Sequence, residues 1–226
     1  LFVMVFCGVV SPQAASVNII KGADGKERVV LENDQLRLQV NPARGARVDG
    51  FRCASWDAID IMRDPNMHGL LVDHFWQEFW PGQFWEAKYN YQVLANGPAE
   101  ATVTFACLSK GIAQVAGILL EKTITLREHE RSVKVTIRLT NTTAEGKYIG
   151  YWLQNVCWLG GDKEDDQYFR PSKRGIDQTS SDDANPRNAG FVREPQAGWL
   201  GAVDGKTQTG LVFFMDYNSL WFLYNC

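Results

Sequence analysis

The chain has 226 residues, 45% of them hydrophobic and 22% charged, with a formal net charge of −3. That is globular composition, and the length suits one large β domain better than two small ones. The slightly acidic balance supplies no basic field, so neither nucleic acid nor a membrane surface is expected as a partner.

The chain opens on an apolar run from Leu1 to Val10, followed by small residues at Ala14 and Ser16. The run is about half the length needed to span a bilayer. Small residues behind a short apolar run are the pattern of a secretory leader. Residues 1–16 therefore read as a partial signal peptide without its basic start, and 17–226 as the domain. A buried first strand is the competing reading. The leader implies a secreted or periplasmic protein.

Beyond the leader, strand signals dominate. Leu36, Leu38 and Val40 alternate with Arg37 and Gln39, and Val133, Val135, Ile137 and Leu139 alternate with Lys134, Thr136 and Arg138. A period of two marks a strand with one face in a core. Further strands are expected over 28–32, 46–52, 88–94, 101–108, 117–126, 147–157 and 198–204, separated by turn residues such as Asn41-Pro42 and Asn96-Gly97-Pro98. No 3.6-residue period lasts three turns after residue 16. The expected fold is all-β, an antiparallel sandwich with little helix.

Trp, Tyr and Phe number eight, seven and twelve, and they crowd into Asp73–Tyr89, which holds three Trp and three Phe. Sugar recognition needs such a mixture of flat apolar rings and planar polar groups. Trp80-Pro81-Gly82 reads as a turn, so Trp76, Trp80 and Trp85 are expected to form a platform near a loop tip, with Glu78, Gln83 and Glu86 as hydroxyl partners. The alternative is an aromatic plug in one end of the sandwich. Of three His, His129 is expected to be solvated in a hairpin turn, while His68 and His74 lie close to the aromatics. His74 beside Asp73 and Glu78 is the one place where an acid and a base fall within local reach.

The segment from Gly160 to Asn188 is rich in Asp, Ser and Pro and carries no strand signal, so it reads as a long solvated loop. It lacks a D-x-D-x-D-G frame, and no metal or other cofactor is expected. Cys53, Cys107, Cys157 and Cys226 include no C-x-x-C pair. They read as buried free thiols, with one disulfide as the alternative. The apolar runs 210–216 and 220–224 read as neighbouring core strands, and further domains of the same chain are expected beyond Cys226.

The stretch Val30-Leu31-Glu32-Asn33-Asp34-Gln35-Leu36-Arg37-Leu38-Gln39-Val40-Asn41-Pro42-Ala43-Arg44-Gly45-Ala46-Arg47-Val48 resembles the opening of the galactose mutarotase-like superfamily, and Ile149–Gly160 is similar to a later strand of the aldose epimerases. The resemblance implies a β-supersandwich whose concave face binds sugars, a fold that serves as free-standing epimerases and as domains of glycoside hydrolases and polysaccharide lyases. It implies substrate-facing roles for Arg47, Trp152 and Asn155. Alternation puts Trp152, Gln154 and Val156 on one side of their strand, with Leu153, Asn155 and Cys157 on the other. In the epimerases a His follows the Asn; here Val156 stands there and cannot transfer a proton, so simple mutarotase activity is not expected.

The expected function is a carbohydrate-binding domain of a secreted carbohydrate-active protein, taking a mono- or oligosaccharide. The first alternative is an enzyme of the epimerase, lyase or hydrolase class that uses His74 with Glu78 or Glu86. The second is a structural support domain.

Overall fold

The computed structural model describes residues 2–5, 14–53, 69–79, 82–156, 159, 165–180, 190–193, 195–220 and 222–225. In chain order the strands are β1 (Phe2–Val5), β2 (Ser16–Lys21), β3 (Glu27–Glu32), β4 (Leu36–Asn41), β5 (Arg47–Cys53), β6 (Gly69–Phe75), β7 (Asn90–Gly97), β8 (Glu100–Leu108) and β9 (Ile118–Arg127). They continue with β10 (Ser132–Asn141), β11 (Tyr151–Val156), β12 (Asp166–Ser172), β13 (Gly175–Ser180), β14 (Gly190–Arg193), β15 (Trp199–Asp204), β16 (Gly210–Phe214) and β17 (Phe222–Asn225). Helical structure among the described residues is confined to short 3₁₀ turns such as Gln83–Trp85 and Tyr217–Ser219.

Two antiparallel sheets face each other. One has nine strands in the order β13-β12-β15-β16-β1-β10-β9-β8-β7, the other six in the order β11-β6-β5-β4-β3-β2; β14 and β17 pair separately. The all-β sandwich read from the alternation is the observed architecture. Val29, Leu31, Leu38 and Val40 of the smaller sheet and Val103, Phe105, Ile124, Leu126, Val133 and Val135 of the larger one are buried in a common core. Each such side chain contributes about 1.5–3 kcal/mol when removed from water.

Two asparagines stitch the sheets. Asn33, in the turn from β3 to β4, accepts at Oδ1 from the amides of Gln35 and Leu36 at 2.8 and 2.7 Å. Its Nδ2 donates to the carbonyls of Arg127 and Glu130 at 2.6 and 3.0 Å, in the turn from β9 to β10. Asn96 exchanges both amide bonds with the backbone of Val17 at the edge of β2, at 2.8 and 3.1 Å. Backbone groups that the ladders leave over are thereby satisfied.

Two expectations need correction, and one strand was not anticipated. The segment 160–188 is not one long loop: β12 and β13 form a hairpin with Ser172 opposite Gly175, and β12 also pairs with β15. β13 shows no sequence alternation because it is the sheet edge and largely wet on both faces. Its acidic residues Asp162, Glu164, Asp182 and Asp183 lie outside the described residues. Strand β6 was hidden for the opposite reason, since all seven of its residues are buried. Finally, Cys53 is disulfide-bonded rather than a free thiol, held at the end of β5 opposite Leu36, whereas Cys107 is free and half-buried. Cys157 and Cys226 lie outside the described residues.

At the N-terminus, Phe2–Val5 pairs with both β10 and β16, which is the arrangement of a first strand.

Candidate functional site

The site lies on the face of the six-stranded sheet turned away from the core. Its foundation is the antiparallel pair β6–β11, in which His74 stands opposite Trp152, and Asp73 opposite Leu153. Neighbouring residues of a strand face opposite ways. His74 and Trp152 therefore share the outer face, while Asp73, Phe75, Tyr151 and Leu153 turn inward.

The imidazole of His74 is only 4% exposed and sits between two indoles, with ring centroids 5.7 Å from Trp85 and 5.5 Å from Trp152. Trp76 packs on Trp152 at 6.4 Å from the other side and is 56% exposed. His74, Phe75, Trp76, Glu78, Gly82 and Trp152 line a pocket of about 160 Å³.

Trp85 is carried by the 3₁₀ turn Gln83–Trp85, which lies against the β4–β5 turn. Gly45 there has φ +68°, and a Cβ on it would come within 2.7 Å of the Phe84 carbonyl oxygen and 2.9 Å of that of Trp85. Only glycine admits both that backbone conformation and that approach. Amides of Gly45 and Tyr89 bond to the carbonyls of Ala87 and Pro42, both at 2.8 Å, and Arg44 grips Glu86 with its Nε at 2.7 and 2.8 Å.

Glu78 follows the strand in a short turn, its amide donating to the Phe75 carbonyl at 3.0 Å. Burial pushes its carboxyl above the usual carboxylate range, while backbone and side-chain hydrogen bonds from Gln83 pull the other way. Gln83 is itself fixed by Ser109 and by the amide of Lys110. Among the described residues, Oε2 of Glu78 is buried without a hydrogen-bond partner. It points toward the pocket wall, where a Cβ on Gly82 would stand 3.0 Å from it.

Directly behind the pocket is a charge buried in the core. Asp73 and Lys122 are both completely buried, with Nζ 2.7 Å from Oδ2. Tyr89 and Tyr151 donate their hydroxyls to the same carboxylate at 2.8 and 2.5 Å. Burial, and then the Asp73 charge, hold both phenols well above the ordinary tyrosine range. The second bond of Lys122 goes to the carbonyl of Leu71 at 2.5 Å. Burial draws its ammonium below the ordinary lysine range, against the pull of Asp73. Leu71 is a left-handed residue, φ +61°, inside β6. Its carbonyl is held by Lys122 and its amide by Asn155 Oδ1 at 2.9 Å, so the two side chains clamp a conformation that leucine otherwise avoids.

The sequence-predicted residues therefore divide. His74, Trp76, Trp152 and Glu78 come together at the pocket. Trp85 belongs to the same aromatic stack but is 6% exposed, so it is no loop-tip ring. Arg47 is neither surface nor pocket lining: it is fully buried, lies across Gly69, and places its guanidinium 5.3 Å from the Trp85 ring. Burial and the nearby Arg44 charge lower its pKa. Glu86 is exposed and engaged with Arg44. Asn155 serves the Leu71 backbone. Asp73 faces away from His74, so the local acid–base pairing of those two is not formed. His129 is half-exposed and bonds Asp34 at 3.0 Å. Trp80 and His68 lie outside the described residues.

Lys122 and its tyrosines were missed, although one signal was present. Ile118, Leu120, Ile124 and Leu126 define the buried row of β9, and Lys122 occupies the middle of that row. A lysine at a core register position announces a buried anion across the core.

Among the described residues, no three His, Cys, Asp or Glu side chains come together as a metal cage. No helix among them is long and apolar enough to cross a membrane.

No family model matches the chain, and no curated protein matches it. The fold is similar to a crystal structure of a TPR-domain containing protein from Parabacteroides distasonis, with a TM-score of 0.64 and 11% identity over 96% of this chain and 43% of that one. The chain thus spans less than half the length of that protein. The likeness concerns the β architecture alone, since tetratricopeptide repeats are helical pairs.

Proposed function

We propose that this domain binds carbohydrate, with one sugar unit seated in the pocket between Trp76, Trp152, His74 and Glu78. The observation that carries the reading is the pairing of indole faces with a buried carboxylate oxygen that has no partner among the described residues. Rings accept the C–H face of a pyranose, and the carboxylate takes a hydroxyl. The resemblance of Val30–Val48 to the galactose mutarotase-like superfamily points the same way, as an analogy of fold rather than of site.

Calorimetric titration with mono- and oligosaccharides tests this. Saturable heat that disappears in Trp152→Ala, with circular dichroism unchanged, is expected. A flat titration across neutral and charged sugars rejects the reading and leaves the support-domain alternative.

A second reading is catalytic. Glu78 shares the pocket with His74, and burial raises its carboxyl above the ordinary value, the direction that favours a proton donor. Anomer-interconversion and glycoside- or uronide-cleavage assays address it, with Glu78→Gln as the silent control.

Export is proposed on the leader-like pattern of residues 1–16. Removal of that segment would take β1 out from between β10 and β16. N-terminal sequencing of exported protein is expected to start near Val17; recovery of Leu1 rejects the leader.

A further inference from the structure

Resting on the carbohydrate reading, we infer that the pocket selects neutral sugar units and excludes uronates, with Glu78 as the specificity-determining residue. Of the six lining residues, His74 and Glu78 are the ionisable ones, and Glu78 is the one with a standing negative charge available. Its Oε2 is buried and has no partner among the described residues. Such an atom is costly to leave unmatched, and a hydroxyl donor from the ligand relieves that cost. A second carboxylate brought against it meets a like charge at close range.

The surroundings reinforce this. Oε2 abuts the Gly82 side of the pocket, and a Cβ on Gly111 would stand 2.7 Å from Oε1. The two glycines thus let the carboxylate pack closely against their backbones, and the hydrogen bonds it does receive come from Gln83 rather than from a cation. Four cations of the surrounding elements are engaged elsewhere. Arg44 is bound to Glu86, Lys122 to Asp73 on the inner face, and Lys147 donates to the Ala113 carbonyl at 2.9 Å. Arg47 is shut behind Trp85. None of these four is among the residues that line the pocket.

The test is a calorimetric panel on the whole chain with glucose, galactose, glucuronate and galacturonate at pH 7.5. Wild-type protein is expected to bind at least one neutral sugar, and its uronate at least thirtyfold more weakly, about 2 kcal/mol. The gap should persist at raised salt, because the two carboxylates would stand much closer than a Debye length. In Glu78→Gln the ratio should shrink to within about fivefold, with thermal unfolding close to wild type. A uronate bound as well as its neutral parent overturns the inference and leaves carbohydrate binding intact. A gap that collapses in salt, or survives Glu78→Gln unchanged, also overturns it, because the discrimination then comes from the acidic surface or from shape. Failure of all four sugars to bind overturns the inference, while the carbohydrate reading is decided by its own oligosaccharide titration. Should Glu78→Gln not fold, the wild-type ratio and its salt dependence still decide.

Discussion

Replacing Lys122 by methionine probes the buried charge cluster most directly. The change keeps most of the side-chain volume and removes the ammonium from a site with no access to water. Asp73 would keep its two tyrosine hydroxyls and lose its counter-charge, and the Leu71 carbonyl would lose its side-chain donor. Removing one member of a buried ion pair costs about 3–5 kcal/mol. An orphaned buried carbonyl adds about 1–3 kcal/mol, although the two overlap because the groups share one network. The expected loss is therefore ~3–5 kcal/mol, read by urea unfolding at constant m value. Asp73→Asn alone should also destabilise, and the double variant should lose less than the sum of the single losses. A single-variant loss under about 1 kcal/mol with unchanged m would refute the claim that Lys122 neutralises Asp73.

Trp85→Ala is expected to cost about 3–5 kcal/mol in chemical denaturation, as for a buried indole, and Trp76→Ala less than about 1 kcal/mol; equal losses would mean that the aromatic stack is misplaced. Asn155→Ala leaves the Leu71 amide without its acceptor and should cost about 1–3 kcal/mol by thermal or urea melts, while Asn155→Asp should retain most of the stability. The hydrogen bond to Asp34, with the charges of Asp34 and Glu128, raises the His129 pKa above its ordinary value. Its folded value being the higher one, His129 contributes stability fully below the unfolded value and loses it as pH rises through the folded value. An NMR titration should show a midpoint above that of a free histidine, returning toward it in Asp34→Asn; a midpoint at or below the ordinary value contradicts the pairing.

Much of the scaffold was readable because β4, β9 and β10 each bury one face more deeply than the other, the condition under which alternation appears. Where that condition fails, the signal vanishes. Gly69–Phe75 is buried on both faces, and Gly175–Ser180 is largely wet on both, so neither alternates. The site was half legible. His74 and Trp76 could be singled out by crowding along the chain, but which face each takes is decided by pairing with a strand some eighty residues away. Arg47 looked like a substrate-facing guanidinium because nothing local says that the 3₁₀ turn bearing Trp85 will close over it. Asn155 drew attention as a recognition residue, whereas its partner is a backbone amide, created by a left-handed leucine that sequence does not advertise.

The Asn33 clasp has a consequence for the order of assembly. Its bonds within the β3–β4 turn span two and three residues, but those to Arg127 and Glu130 join positions 94 and 97 residues apart. Closing so long a loop loses chain entropy before any contact repays it. The hairpins can therefore form early and independently, while the clasp between sheets closes late, so Asn33 bears on how slowly the finished sandwich reopens more than on how fast it forms.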